Sequence, residues 1–501
     1  MTKKTFRLLL GPLLLQAVFA CRLAAELPEV ARTVNEGCGQ SFSFDGQAYR
    51  GDLNKLPIGV FDSGIGGLTV LSTLLTLDLF DNHSGAESPD GVPDFDRERF
   101  VYLGDQANMP YGDYPAAGRT ELLRELIIKD AVFLLGTRYW PGREASSPRS
   151  DKPPVKAIVV ACNTATAYGI EDLREAVELW GIPLYVVGVV EAGARGALEA
   201  VGQSGNVAVM ATEGTCSSLA YVRAVERAWS EAGLAAPMVI QQGCLGLAGA
   251  IEGQRDYIST AESGLNPAYH GPSPSNSAAR IDTLIFERYG FEPEGLLGLS
   301  LASVQLNSVD NYIRYHTTTL VDRYSFENDG RPLAVVILGC THFPFFSRSL
   351  AAAFDRLRNL EVVEDCCPEK PYAGLIAAGL VLVDPARNTA VELYRELRRR
   401  GILLAEGVRC LIDTDEFYIS VTSPATSPEN LDADGGFTYE FKYGRPAGNP
   451  DLEDVRRVPL TAASLKGQAR EMIREKMPVV WQRLVEFNRG SPRLTRVPRI
   501  R

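Results

Sequence analysis

The sequence predicts an α/β protein: two pseudo-symmetric α/β domains with mostly parallel sheets and a site in the cleft between them. Three observations carry this. From Leu56 onward, short runs of branched apolar residues alternate with helix-length segments. The runs are apolar at consecutive positions, as in parallel strands covered on both faces. The strand ends also repeat. "AIVVACNT" is echoed by "VVILGCTH", with Cys162 and Cys340 in the same place, and "IGVFDSG" is echoed more weakly by "VAVMATEGT".

The first twenty residues stand apart from this rhythm. Lys3, Lys4 and Arg7 precede the apolar run "LLLGPLLLQAVFA", and Cys21 follows. A charged start, a short apolar stretch and a small-residue end read as a secretory signal over residues 1–20. The run is shorter than the roughly 20 residues a spanning helix needs. "VFAC" resembles a bacterial lipoprotein box, with Cys21 as the lipid-anchored residue; cleavage after Ala20 without a lipid is the other reading. Export, to a membrane-anchored or periplasmic location, is the expectation. Residues 21–55 are polar and irregular and read as a tether.

The α/β pattern then begins. "PIGVFDSG" is a strand with a polar, glycine-rich end, and "GLTVLSTLLTLDLF" follows as a helix. "RFVYLGDQANMPYG" is a second strand, and "ELLRELIIKDAVFLL" has apolar residues at helical spacing. "VKAIVVACNT", "PLYVVGVVEAG" and "NVAVMATEGT" repeat the strand form. In such sheets ligands bind beyond the carboxyl ends of the strands, so the polar residues there are the functional candidates. Domain one is expected to span 56–182 plus 342–385, and domain two 183–341. An insertion at about 256–331 carries a helix with Val309, Tyr312, Ile313, His316 and Leu320 on one face, capped by Asn307 or Ser308. Residues 386–501 form a C-terminal extension. It holds a charged helix, "VELYRELRRRG", and a segment at 417–450 whose turn chemistry suggests a hairpin.

Composition removes several function classes. The chain has 501 residues, 45% hydrophobic and 23% charged, with a net charge of -11. That is ordinary globular composition, and the acidic balance argues against a nucleic-acid partner. The basic C-terminus, Arg489, Arg493, Arg496, Arg499 and Arg501, reads as a solvated tail. Nine cysteines, an odd number without regular spacing, argue against a disulfide framework, although Cys38 has scope to pair with another. No C-x-x-C spacing and only four scattered histidines leave no metal site to expect.

One thiol at each of two related strand ends suits a reaction that is itself nearly symmetric. Racemisation at a carbon bearing one acidic hydrogen is such a reaction. One thiolate removes the proton from one face, and the opposed thiol delivers a proton to the other. A thiol pKa of about 8.5 makes both forms accessible with modest tuning.

"IGVFDSGIGGLTVL", "DQANMPYG", "VACNTAT", "GVVEAGA" and "ILGCTHFP", in this order, resemble the motifs of glutamate racemases, within the aspartate/glutamate racemase family. The resemblance covers about residues 56–255 and 331–380. It implies a cofactor-independent amino-acid racemase, without pyridoxal or metal, interconverting L- and D-glutamate for peptidoglycan. It further implies that Cys162, partnered by Asp62, acts on the D-enantiomer and Cys340, partnered by His342, on the L-enantiomer. Glu252 matches the family's further acidic residue near the second cysteine. Asp62, Ser63, Asn163, Thr164, Thr212, Thr341 and His342 would bind the substrate. Tyr111 and Gly112 would meet its side-chain carboxylate, with backbone N–H groups taking much of that load. "GIGG" at 64–67 reads either as an anion cradle at a helix start or as close helix–strand packing. The leader, the insertion and the extension depart from the family pattern, in which the enzyme works in the cytoplasm. The insertion is expected to be a lid, a homodimer surface or a substrate gate. Two other readings stay open: a racemase of aspartate or another acidic compound, and an exported ligand-binding lipoprotein without turnover.

Overall fold

The computed structural model describes residues 27–34 and 41–494, apart from 203, 260–263, 299, 365–366, 462–463 and 466. The leader, Cys21, Cys38, Cys366 and most of the tether lie outside the described residues. The strands run β1 (Ile58–Asp62), β2 (Phe100–Gly104), β3 (Ala157–Val160), β4 (Tyr185–Gly188), β5 (Asn206–Ala211) and β6 (Val239–Gly243). They continue with β7 (Leu296–Leu297), β8 (Gln305–Leu306), β9 (Leu333–Gly339), β10 (Val362–Glu364), β11 (Cys367–Glu369), β12 (Ile376–Val383), β13 (Glu416–Thr422) and β14 (Val455–Pro459).

Two sheets carry the fold. The first has the order β14-β13-β2-β1-β3-β4, parallel except for the β13–β14 pair; the second, β12-β9-β5-β6, is parallel throughout. Both are covered on both faces, which is why their strands read as unbroken apolar runs. Along β5, Val207, Val209 and Ala211 join one core cluster while Ala208 and Met210 join another. Along β1, Ile58 and Val60 point to one cluster and Phe61 to the opposite one. A fully buried Val, Leu or Ile is worth about 1.5–3 kcal/mol. Leu333, Val335, Val336, Ile337 and Leu338, all buried on β9, therefore anchor the centre of the second sheet. The arrangement is the mixed α/β architecture with mostly parallel sheets that the sequence implies.

The partition of the chain differs from the expected boundaries in three places. Residues 342–385 do not return to the first sheet, because β12 pairs in parallel with β9 and completes the second. β4 belongs to the first sheet, on the outer side of β3, although it follows Pro183. The C-terminal extension is part of the first sheet. β13 covers the edge of β2 in parallel register, and β14 covers β13. An uncovered β2 would present a row of unpaired backbone groups, and the returning chain removes that edge. The helix Pro385–Arg399 packs its apolar face into the same core, with Ala390, Leu393, Tyr394 and Leu397 buried there and Tyr394 stacked on Phe80 at 4.4 Å.

The hairpin expected at 417–450 is not formed as such. β13 is antiparallel to β14, whose partner residues lie beyond that segment (Tyr418 opposite Pro459). The intervening turns are real but local: a Leu431–Phe437 bridge and the short helix Tyr439–Gly444. In the insertion, the helix spans Val309–Glu327 and Ser308 is its cap, accepting from the Asn311 N–H at 3.2 Å. Tyr312, Ile313, His316 and Leu320 are buried, and Val309 is partly so. Insertion and extension touch through an Arg255–Asp434 ion pair at 3.2 Å and stacked His270 and Tyr439 rings at 5.0 Å. Among the described residues, no helix is long and apolar enough to cross a membrane.

If the extension is part of the first sheet, its buried aromatic side chain should carry core-sized energy. Phe417 is fully buried on β13 beside Tyr102 and Phe487. Phe417→Ala is expected to cost about 3–5 kcal/mol in urea-unfolding free energy. A cost below about 1 kcal/mol would show that β13 is not part of this core.

Candidate active site

Asp62 is the last residue of β1 and is wholly buried. One carboxyl oxygen accepts from the Gly64 N–H at 3.1 Å, and the other from the Thr341 hydroxyl at 3.3 Å, across to the second sheet's loop. Burial raises its pKa, opposed by the charge of His342 and the N–H groups of Gly64 and Gly67. The glycines after it serve close approach. A Cβ on Gly66 would lie 2.6 Å from the Thr341 hydroxyl and 2.7 Å from the His342 ring. Packing, rather than an anion cradle, therefore explains "GIGG".

Cys162 follows β3 as the N-cap of the helix Asn163–Trp180. Its sulfur accepts from the Ala165 N–H at 3.4 Å and lies 3.7 Å from the Ser63 hydroxyl. Burial, and then the Asp62 charge, push this thiol up to about 12, against the opposing pull of the Ala165 N–H and Ser63. Cys162 is accordingly a neutral thiol at physiological pH. Asp62 acts on it through charge; the hydrogen bonds described for Asp62 go to Gly64 and Thr341.

Cys340 follows β9 and stands in a chain of buried polar groups. Its sulfur is 3.6 Å from His342 Nδ1. His342 Nε2 is 2.7 Å from Glu252 Oε1, and Glu252 Oε2 accepts from Gln106 at 2.7 Å. Burial disfavours the imidazolium, but hydrogen bonds and charge from Cys340 and Glu252 outweigh that and hold the His342 pKa well above its ordinary value. The two cysteines thus differ in kind. One is capped by a helix N-terminus beside a carboxyl group, and the other is paired with a charged imidazole.

Both thiols line one cavity of about 20 Å³, together with Ser63, Asn163, Thr164, Thr212, Thr341 and His342. Met109, Pro110, Tyr111 and Gly112 form a further wall, with Ala248 and Gly339 completing it. Asp62 and Glu252 stand behind this lining. The volume holds about one water, so the cavity is narrow. A surface hollow of about 400 Å³ between the 82–98 loop and the helix Pro385–Arg399 contains neither thiol. Among the described residues, no group of three His, Cys, Asp or Glu is arranged to hold a metal ion.

Hydroxyl contacts join the two sheets across this cavity. Thr164 Oγ1 lies 2.9 Å from Thr212 Oγ1 and 3.0 Å from Thr215 Oγ1, and Tyr221 donates to Asn163 Oδ1 at 2.5 Å. A Cβ on Gly112 would lie 2.6 Å from Thr212 Cβ, so only glycine permits this closeness. The Tyr111 side chain is turned to two buried carboxyl groups. Its hydroxyl is buried against Asp105 at 2.6 Å and Asp130 at 2.7 Å, leaving its backbone to face a ligand. Tyr221, Thr215 and Gln106 support the site without having been singled out in the sequence. Gln106 lies inside the quoted "DQANMPYG", whereas nothing local marks Tyr221.

Residues 144–261, which include Cys162, Thr212 and Glu252, match the family model described as Asp/Glu/Hydantoin racemase. A glutamate racemase of Thermus thermophilus is 29% identical over 353 residues, 70% of this chain and 84% of that protein. The glutamate racemase of Oceanobacillus iheyensis is 36% identical over 183 residues, 36% of this chain and 51% of that protein. The chain is thus similar to the Asp/Glu/Hydantoin racemase family over residues 144–261 and to a glutamate racemase over 70% of its length. A crystal structure of glutamate racemase from Thermus thermophilus in complex with beta-chloro-D-alanine aligns at 25% identity over 75% of this chain and 90% of that one, with a TM-score of 0.39.

The Tyr111 hydroxyl has one proton to share between two carboxyl groups. Burial, and then the neighbouring Asp105, push Asp130 up to about 7, against Arg457 and Tyr111. The folded state therefore holds a proton on Asp130 that the unfolded chain loses near pH 4. That contribution is full below about pH 4 and is lost as pH rises through about 7. Asp130→Asn should flatten the decline of unfolding free energy between pH 4 and 7, measured by urea titration. An unchanged slope would show that Asp130 is ionised throughout.

Proposed function

We propose that this protein is a racemase that interconverts L- and D-glutamate without a cofactor, using Cys162 and Cys340 as the two acid–base groups. The observation that carries the reading is the pair of thiols, one from each sheet, on a single narrow cavity. The curated relatives named above are glutamate racemases, which supports glutamate as the substrate; D-glutamate for peptidoglycan is the use that the motif resemblance implies.

In the proposed reaction Cys340, beside the charged His342, begins as the base, and Cys162, a neutral thiol, begins as the acid. L-glutamate loses its α-proton to Cys340, and Cys162 gives its own proton to the opposite face of the carbanion. D-glutamate leaves with Cys340 protonated and Cys162 ionised. The reverse reaction exchanges the roles; for a further forward turnover Cys340 gives its proton to water and Cys162 takes one from water, which restores the start. The carbanion needs its carboxylate stabilised by fixed donors, and Ser63, Asn163, Thr164, Thr212 and Thr341 supply hydroxyl and amide groups around the cavity. Asp62 raises the basicity of Cys162 once that residue is a thiolate, and Glu252 holds His342 in place. A substrate with ten non-hydrogen atoms requires the cavity to open, and closure then excludes water from the carbanion.

Incubation of the leaderless enzyme with L-glutamate, followed by chiral chromatography, should reveal D-glutamate. Cys162→Ala and Cys340→Ala should each lower the rate by about a hundred- to ten-thousandfold or more, the range of general acid–base catalysis. Turnover of L-aspartate but not L-glutamate would reassign the substrate, and binding of both without turnover would leave a ligand-binding protein.

We also propose export, with Cys21 as the lipid-anchored residue, from the charged start and the "VFAC" box. Detergent fractionation should place the full-length protein with membranes and move Cys21→Ser to the aqueous fraction. Equal partitioning of the two proteins would contradict a lipid anchor.

A further inference from the structure

The cavity wall at Met109–Gly112 is held from behind by the chain between β13 and β14. Lys442 Nζ donates to the Met109 carbonyl at 2.6 Å, and the Tyr443 hydroxyl donates to the Pro110 carbonyl at 3.0 Å. Both residues lie on the helix Tyr439–Gly444, whose start is capped by Thr438 accepting from the Phe441 N–H at 3.3 Å. Arg445 donates to Asn108 Oδ1 at 2.6 Å and to the Tyr114 hydroxyl at 3.1 Å, while its other nitrogen pairs with Asp454 at 3.0 Å. The grip is mutual, since Arg119 donates back to the Tyr443 carbonyl at 3.1 Å. On β14, Arg457 pairs with Asp130 at 2.7 Å, which in turn meets the Tyr111 hydroxyl.

We propose that residues 438–457 are a strap that positions this wall for substrate binding, with Lys442 and Tyr443 as its positioning residues. The proposal rests on the reading of Met109–Gly112 as the wall that meets the substrate's side-chain carboxylate. The physical link is the peptide plane. The carbonyl of Pro110 and the N–H of Tyr111 belong to one planar unit and point in opposite directions. Fixing that carbonyl on Tyr443 therefore fixes the direction of the N–H that follows it. Lys442 does the same for the peptide unit before Pro110, which has no N–H of its own. Arg457 and Arg445 fix the side chains on either side of it. The wall thus needs donors from outside its own strand, and the extension, absent from the region that resembles the family's motifs, supplies them.

Hydrogen–deuterium exchange on the intact protein separates the strap from the catalytic reading. In Lys442→Met and in Tyr443→Phe, amides of residues 105–114 should exchange about tenfold faster, the effect of losing roughly 1.4 kcal/mol of hydrogen bonding. Amides of β1 and β3 should be unchanged, and Lys442→Arg, which keeps a donor, should restore the slow exchange. Unchanged exchange at 105–114 overturns the strap whatever substrate the wild type turns over. With glutamate, both variants should raise KM about tenfold while kcat stays within about threefold, the signature of lost ground-state and transition-state binding alike. Faster exchange with an unchanged KM overturns the role in substrate binding. A wild type without glutamate turnover overturns the proposed function and, with it, that role, while the exchange result still decides the strap.

Discussion

The structure depends on two parallel sheets presenting their carboxyl ends to one shared cavity. Parallel strands end in the same direction, so their polar termini collect on one edge of each sheet. Turned toward one another, the two edges bring Cys162 and Cys340, which are far apart in sequence, onto one wall-to-wall space of about 20 Å³. The closeness is maintained by small and hydroxyl-bearing residues. Gly66 passes against Thr341 and His342, Gly112 against Thr212, and Thr164 meets both Thr212 and Thr215. Any larger side chain at either glycine would push the sheets apart and separate the thiols.

The pseudo-symmetry of the fold stops at the electrostatics. Cys162 is neutral, raised by burial and by Asp62 and partly relieved by the first turn of its helix. Cys340 has a charged histidine beside it, kept so by Cys340 itself and by Glu252. A pair of identical thiols would have no defined starting state. Unequal partners define which one begins as acid and which as base, and the transfer of a proton through substrate inverts that order. The buried carboxyl groups of Asp105 and Asp130 belong to a second layer, where Tyr111 and Arg457 keep them compensated.

Much of this was legible in the sequence because the relevant signals are local. A buried parallel strand is apolar at every position, and the turn after it is polar, so "VVACNT" and "VVILGCTH" announce both the strand and its functional end. The hydroxyl residues that line the cavity lie within one to four positions of such ends. What was not legible is pairing at a distance. Nothing in "IAAGLVLV" says that it lies beside β9, and nothing in "EFYISVT" says that it covers the edge of β2 across some three hundred residues. The turn residues between β13 and β14 suggested a hairpin because they do form turns, but short ones within a long connection. For Tyr111 the motif marks the wall, and only the tertiary contact shows that its hydroxyl goes to Asp105 and Asp130.

The central claim, that the two thiols act on opposite faces of one carbon, is tested most directly by the fate of hydrogen. L-glutamate is turned over in deuterium oxide, and both enantiomers are recovered at early conversion for mass analysis. Two opposed groups predict D-glutamate that carries solvent deuterium at Cα while the unreacted L-glutamate keeps its protium. D-glutamate that retains the original protium, or L-glutamate that exchanges faster than the D-form appears, would place both transfers on a single group and contradict the account.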